Sequence, residues 1–265
     1  MKILSDLHVH THLSLCARSS AVVPYYIDRA KELGIKRLGF SDHMWDAPIE
    51  GRERSTEFYS VQNFEHILKL KEEIKSAESF DILFGCETEY SKSAGAAITE
   101  ETAKQLDFLL VPNSHTHITA DRETVNDHEK HAEYMLKAFY DIINCPVSKY
   151  ITAIAHPFYA VCCPYDNREL FGLYSDEDFR KCFSAAKEKN IAMEINTSCF
   201  AYKTLPEIYA DPSLRMYEIA KQCGCKFTFG SDSHSIHDHD SFYKAYIISS
   251  ILELTENDLH PLSIC

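Results

Sequence analysis

Seven short apolar runs constrain this chain more than any other feature. They are Lys2–Leu7, Arg37–Phe40, Asp81–Cys86, Phe108–Val111, Ile151–Ala155, Ala192–Ile195 and Phe227–Phe229. Each has strand length. Between them lie longer stretches with helical spacing: Pro24–Leu33, Phe64–Ser76, Thr99–Gln105, Asp127–Ile143, Asp176–Lys189 and Ser213–Gln222. Phe242–Leu252 follows the last run as a further helix. Ser175 and Ser213 read as N-caps. Strand then helix, over and over, predicts an α/β fold on a parallel sheet. The 265 residues show no internal repeat, low-complexity tract or linker, so one domain over 1–265 is expected. At this length a closed barrel is expected rather than an open sheet.

Charge and composition remove several function classes. Lys plus Arg number 27 against 40 Asp plus Glu, a net charge of −13. So acidic a surface repels a phosphate backbone, which argues against long nucleic acid as a partner. No run approaches the ~20 apolar residues of a membrane helix. The start, MKILSDLHVH, has no apolar core of a signal peptide, so a cytoplasmic protein with mostly reduced cysteines is expected. The ten cysteines contain no CxxC pair, which leaves no zinc ribbon. Oligomeric state stays open.

The fourteen histidines are informative by position. The seven runs lead in turn into Asp6-Leu7-His8-Val9-His10, Ser41-Asp42-His43, Glu87-Thr88-Glu89, Asn113-Ser114-His115-Thr116-His117, His156-Pro157, Glu194-Ile195-Asn196 and Asp232-Ser233-His234. In a parallel barrel that edge is where active sites are built. Strand alternation puts His8 and His10 on one side, where they can share an ion. Asp232 and His234 repeat that spacing, and a carboxylate such as Glu87 has two oxygens with which to bridge two ions. Imidazole with carboxylate suits Zn, Mn or Fe rather than Ca. Asp6 and Asn196 are expected to orient ligands and loops. His66, His128, His131 and His260 read as hydrogen-bonded core residues, Cys86 as a core hydrophobe, and His237 and His239 as solvated loop residues.

At these residues the chain resembles the PHP family, the polymerase and histidinol phosphatase domain. DLHVHTH, GFSDHM, GCETEY, the histidine after the fourth run, AHPF, MEINTS and GSDSH match its motifs in order, over about residues 3 to 240. The resemblance is closest to the monofunctional histidinol-phosphatase type. It implies a distorted (β/α)7 TIM-like barrel with two or three divalent metal ions (Zn, Mn or Fe) at the C-terminal ends of the strands. It further implies that His8, His10, Glu87 and Asp232 hold one ion. Glu87 then bridges to a second held by His115 and His156, with His117 the alternative to His115. His43 and His234 hold a third. Where many relatives carry another third-site histidine, this chain has Cys16, a possible thiolate ligand.

The activity so implied is hydrolysis of a small phosphate monoester, L-histidinol phosphate first, as in histidine biosynthesis. Glu87, Asp232 and His234 are the candidates for catalysis. Arg18, Arg52, Arg54 and Lys203 are the candidates for holding the substrate's phosphate, and Arg168 is a further cation in reach. Lys203 stands where the histidinol-phosphatase type has an arginine, and it supplies a charge without a bidentate fork. The long loop Met44–Tyr59, with Trp45, Arg52 and Arg54, is expected to cover the pocket. Two other readings remain: a broader phosphoesterase for nucleotides or short oligonucleotides, and a metal-binding module without catalysis. An amidohydrolase-like barrel fits less well, since no lysine ends a strand to bridge its metals.

Overall fold

The structure, a computed structural model, describes residues 2–51, 56–75, 77 and 80–265. Its centre is a parallel sheet of eight strands: β1 (Ser5–Val9), β2 (Arg37–Phe40), β3 (His43–Met44), β4 (Asp81–Thr88), β5 (Phe108–Pro112), β6 (Ala153–Ala155), β7 (Ala192–Asn196) and β8 (Phe227–Gly230). Seven pair in the order β1-β2-β4-β5-β6-β7-β8, and β3 adds to β4 beyond the end of β2. The sheet nearly closes on itself. Past the end of β8, the Asp232 amide donates to the carbonyl of His8 (2.8 Å) and the His10 amide to that of Ser233 (2.9 Å). The expected seven-stranded barrel is therefore present.

Small residues make room inside it. Leu7, Phe108, Leu110, Ala153, Ala155 and Ala192 form a buried interior cluster. A side chain at Gly39 or Gly85 would collide with the Phe108 ring, so both strands need glycine there. The helices pack outside. Val23–Leu33 buries Val23, Tyr26, Ile27 and Ala30, an i, i+3, i+4, i+7 stripe, and ends on Gly34 at φ 77°. His128–Asn144 is capped by Asp127, and Asp176–Glu188 by a reciprocal Ser175–Asp178 box.

Other expectations fail locally. The predicted helix Phe64–Ser76 is broken at Leu68 into Phe64–Ile67 and Lys69–Lys75, and Ser76 lies outside the described residues. Thr99–Gln105 shrinks to Glu100–Ala103 with Thr99 as its cap. The last helix is Lys244–Ile251, preceded by a 3₁₀ stretch, Asp238–Tyr243. Ser213 is not an N-cap; it lies inside its helix, and Asp211 accepts from its amide (2.9 Å) and hydroxyl (2.6 Å). No helix among the described residues is long and apolar enough to cross a membrane. All ten cysteines are free thiols.

Candidate metal centre

The strand ends bring nitrogen and oxygen donors together around His8 and His10. His8 Nε2 lies 3.0 Å from His10 Nε2, 3.3 Å from Glu87 Oε2 and 3.5 Å from Asp232 Oδ1. His10 Nε2 lies 3.4 Å from the same Glu87 oxygen and 3.2 Å from the same Asp232 oxygen. A tetrahedral ion with bonds of about 2.0–2.1 Å has ligand–ligand edges of about 3.3–3.4 Å. These five separations are of that size, so His8 and His10 present donors at cation spacing to Asp232 on one side and to Glu87 on the other, and His8, His10 and Asp232 form one converging set. Simple alternation does not explain the arrangement, because Leu7, next to His8, packs inside the barrel. The β1–β2 register shifts between Asp6 and Val9, and that irregularity re-aims the side chains that follow it.

Glu87 extends the cluster. Its Oε1 lies 3.1 Å from His156 Nε2 and 3.8 Å from His115 Nε2, and its Oε2 is 3.3 Å from His43 Nδ1. Donor atoms of His43, Glu87 and His115 converge within 4.8 Å, and so do those of His10, His43 and His234. The His43 and His234 rings lie 4.4 and 4.3 Å from the His10 ring. Glu87 Oε2 and His43 Nδ1 are buried without a hydrogen-bond partner, which is what a ligand-to-be looks like before its cation is counted. The structure thus assembles all eight predicted donors. It brings His115 rather than His117 to Glu87; the exposed His117 lies edge-on to the His115 ring and lines the cavity beside His43 and His234. Cys16 lines a cavity beside His43 and His234 but is outside the converging sets.

A second layer of side chains aims these donors. Glu194 accepts from His8 Nδ1 (2.7 Å) and from the His156 amide (2.8 Å), so one carboxylate fixes two candidate ligands. Asn196 Nδ2 donates to the same carboxylate (3.1 Å). Glu89 takes His115 Nδ1 at 2.9 Å, and Ser114 Oγ meets His156 Nδ1 at 2.6 Å. Asp6 accepts from the amides of His8 and Ser231, as expected of an orienting group. His239 corrects the sequence reading. It is fully buried, and its Nε2 holds Asp6 Oδ2 at 2.9 Å. His128 is also misread: it is half-exposed and lies against Tyr165. Asp232 and His156 adopt positive φ, 52° and 28°. Strain of that kind persists only where surrounding contacts enforce it.

Two expected results follow from this layer. Glu194→Gln leaves a neutral partner for His8 and lowers metal affinity about 10–100-fold, measured by competition with a chelating dye. At Gly230 an added Cβ would overlap Glu194 Oε1 and His8 Cβ. Gly230→Ala should cost about 1–3 kcal/mol in thermal or urea unfolding, with loss of bound metal.

Comparison with known proteins agrees with the geometry. The PHP domain profile matches residues 6–198. The chain belongs to the PHP family. A probable phosphatase of Shewanella pealeana is 27% identical over 249 residues, covering 92% of this chain and 83% of that protein. One of Clostridium acetobutylicum is 26% identical over 238 residues, covering 88% and 80%. Among solved structures, histidinol phosphate phosphatase of Lactococcus lactis, in complex with zinc, L-histidinol and phosphate, superposes with TM-score 0.64. It is 17% identical and covers 95% of this chain and 94% of its own. A putative histidinol phosphatase of Listeria monocytogenes gives TM-score 0.65 at 16% identity, covering 91% and 99%.

The electrostatics of this PHP centre separate its histidines. Burial lowers His10, and the neighbouring His234 and His43 lower it further. Burial likewise takes His43 down to about 4. Both are neutral and carry free lone pairs. Burial also opposes charge on His8 and His115, but carboxylates win. Glu194, Glu87 and Asp232 raise His8, and Glu89 with Glu87 raises His115 to about 9. Glu87 and Asp232 are held ionised, because the surrounding imidazoles outweigh the burial that opposes it. Glu87 and Asp232 would thus offer a cation charged oxygens, while His8 and His115 would have to give up a proton to serve as ligands.

The cations expected to hold phosphate are dispersed. Lys203 pairs with Asp211 and lies over the Tyr159 and Phe200 rings, in a pocket that holds none of the eight donors. Arg168 is exposed and paired to Asp166. Arg18 is exposed, with its amide on the His234 carbonyl (2.9 Å). Arg52 and Arg54 lie outside the described residues. Trp45 is buried against Tyr59 and Ala97 and bonded to the Ile49 carbonyl, so it is core and not cover. Asp232 and His234 line two cavities. One, of 370 Å³, is walled by Phe58, Ile118 and Val161. The other, of 410 Å³, is walled by Ser198, Tyr202, Asp238 and Tyr243.

Proposed function

We propose that this PHP protein is a metal-dependent phosphatase acting on a small phosphate monoester, with L-histidinol phosphate the leading substrate. The observation that carries the reading is the position of Glu87 among His8, His10, His43, His115 and His156, with Asp232 and His234 of the same cluster lining two cavities. Divalent ions held there supply charge neutralisation for a phosphoryl group and a nucleophilic water at neutral pH. The chain's own residues do the rest. Glu87 and Asp232 contribute the negative charge that retains the cations. Glu194, Glu89 and Ser114 fix the imidazole orientations. His234 donates Nδ1–H to the Asp232 carbonyl (2.9 Å) and lines both cavities, which places it to meet a substrate. Arg18, whose amide donates to the His234 carbonyl (2.9 Å), is the candidate phosphate-holding cation kept beside the site. Histidinol phosphate is favoured by the fold shared with the Lactococcus lactis enzyme, while the curated relatives support phosphatase chemistry without naming a substrate.

The test is a screen of metal-reconstituted protein against histidinol phosphate, nucleoside monophosphates, short oligonucleotides and sugar phosphates. A kcat/KM for histidinol phosphate at least tenfold above the others is expected. Preference for a nucleotide would overturn the substrate assignment, and inactivity on every ester would overturn the phosphatase reading.

A further inference from the structure

Two segments meet beside the metal centre: the turn Ser198–Lys203 after β7, and the run that follows β8 into the helix Lys244–Ile251. Lys244, the first residue of that helix, is 3% exposed. Its Nζ donates to three backbone carbonyls of the turn, those of Phe200, Ala201 (2.6 Å) and Lys203 (2.9 Å). An ammonium has three donors, and all three are used. The arrangement is that of a small monovalent cation in an oxygen seat, with the cation tethered to the chain. Without it, the partly buried carbonyls of Ala201 and Lys203 would lose this donor, while that of Phe200 would keep only the Lys203 amide (3.0 Å), a costly state.

The turn so held touches the site twice. Ser198 Oγ bonds Asp232 Oδ2 at 3.2 Å, and Ala201 and Tyr202 wall the cavity that contains Asp232 and His234. Thr197 and Ser241 add a second tie between the same two segments (3.3 Å). Nothing in the proposed chemistry employs Lys244. We propose that Lys244 is a positioning residue: its ammonium fills a three-carbonyl seat that fixes the Ser198–Lys203 turn against Asp232 and sets the wall the substrate meets. Its kinetic readout rests on the phosphatase reading; the seat itself does not.

Because Asp232 is anchored independently through its amide to the His8 carbonyl, losing the seat should disturb the wall and spare the metal. Lys244→Met keeps the length and removes the charge. The expected result is a KM for histidinol phosphate raised about tenfold, with kcat changed less than about threefold and metal content unchanged. Lys244→Ala leaves room for a free alkylammonium. Millimolar n-propylammonium should lower its KM toward wild type and raise its melting temperature, with no effect on wild type. A Lys244→Met KM within twofold of wild type, or a Lys244→Ala protein indifferent to propylammonium, overturns the proposal. So does failure of both variants to fold with or without the amine, since that assigns Lys244 to stability alone. If wild type with full metal content hydrolyses no ester, the phosphatase reading fails, and the melting response of Lys244→Ala still decides the seat.

Discussion

Exhaustive chelation should abolish hydrolysis, and Mn, Zn or Fe added back should restore it. The reason lies in what remains when the cations leave. Glu87 and Asp232 are then two ionised carboxylates met by the imidazoles around them, His8 foremost for both. The described basic side chains do not replace a cation, because Lys203 and Arg168 are committed to Asp211 and Asp166. A phosphate dianion would approach a net acidic pocket, and no group would generate a nucleophile at neutral pH. Cations are worth several kcal/mol of transition-state charge stabilisation, and each 1.36 kcal/mol is tenfold in rate. Loss of activity by a thousandfold or more is expected, with a lower melting temperature, since ions that bind only the folded state stabilise it. Metal analysis on the treated protein must accompany the assay. Full turnover in protein shown to be metal-free would remove the cations from the mechanism.

Much of this centre was legible in the sequence because a parallel barrel orders its own chemistry. Once seven apolar runs are taken as strands, the residues after each run are fixed to one rim; the choice and grouping of the eight donors among them came from the resemblance to the PHP motifs. What the pattern left open was decided by backbone detail. His115 and His117 are equally spaced candidates, and the choice between them came from a short helical turn, Thr116–Thr119, that carries His117 away to the surface. His239 looked like a loop residue because its neighbours His237, Asp238 and Asp240 are exposed. Its burial against Asp6 depends on a 3₁₀ stretch with no apolar periodicity to announce it. Glu194 sat in plain view in the MEINTS segment, yet its role needed the third dimension. A carboxylate that holds two histidines 148 residues apart in sequence, His8 and His156, leaves no local spacing signal.

Lys203 shows the same limit from the other side. Sequence position after β7 suggested a phosphate contact. The aromatic faces of Tyr159 and Phe200 and the carboxylate of Asp211 hold its ammonium in a neighbouring pocket instead. A charge counted along the chain says nothing of its partner, and here the partner takes it.

Glu87→Gln should be the most damaging single substitution. Its carboxylate is within 3.4 Å of donor nitrogens on His8, His10, His43 and His156, and each oxygen faces a different set of them. Glutamine keeps the volume but offers one neutral oxygen and an N–H₂ that presents protons to the cavity. One half of the bridge then repels a cation, and the other attracts it only as a dipole. Two ions should be lost or weakened together, and kcat/KM should fall by about a thousandfold or more. The fold should survive, because Glu87 Oε2 has no hydrogen-bond partner to strand and the amide oxygen of glutamine can still accept from His156 Nε2 where Oε1 does (3.1 Å). Asp232→Asn provides the contrast. Its carboxylate serves the His8–His10 group alone among the converging sets, so that variant should lose about one ion where Glu87→Gln loses two. Equal metal content in the two variants, measured by mass spectrometry, would show that Glu87 does not bridge.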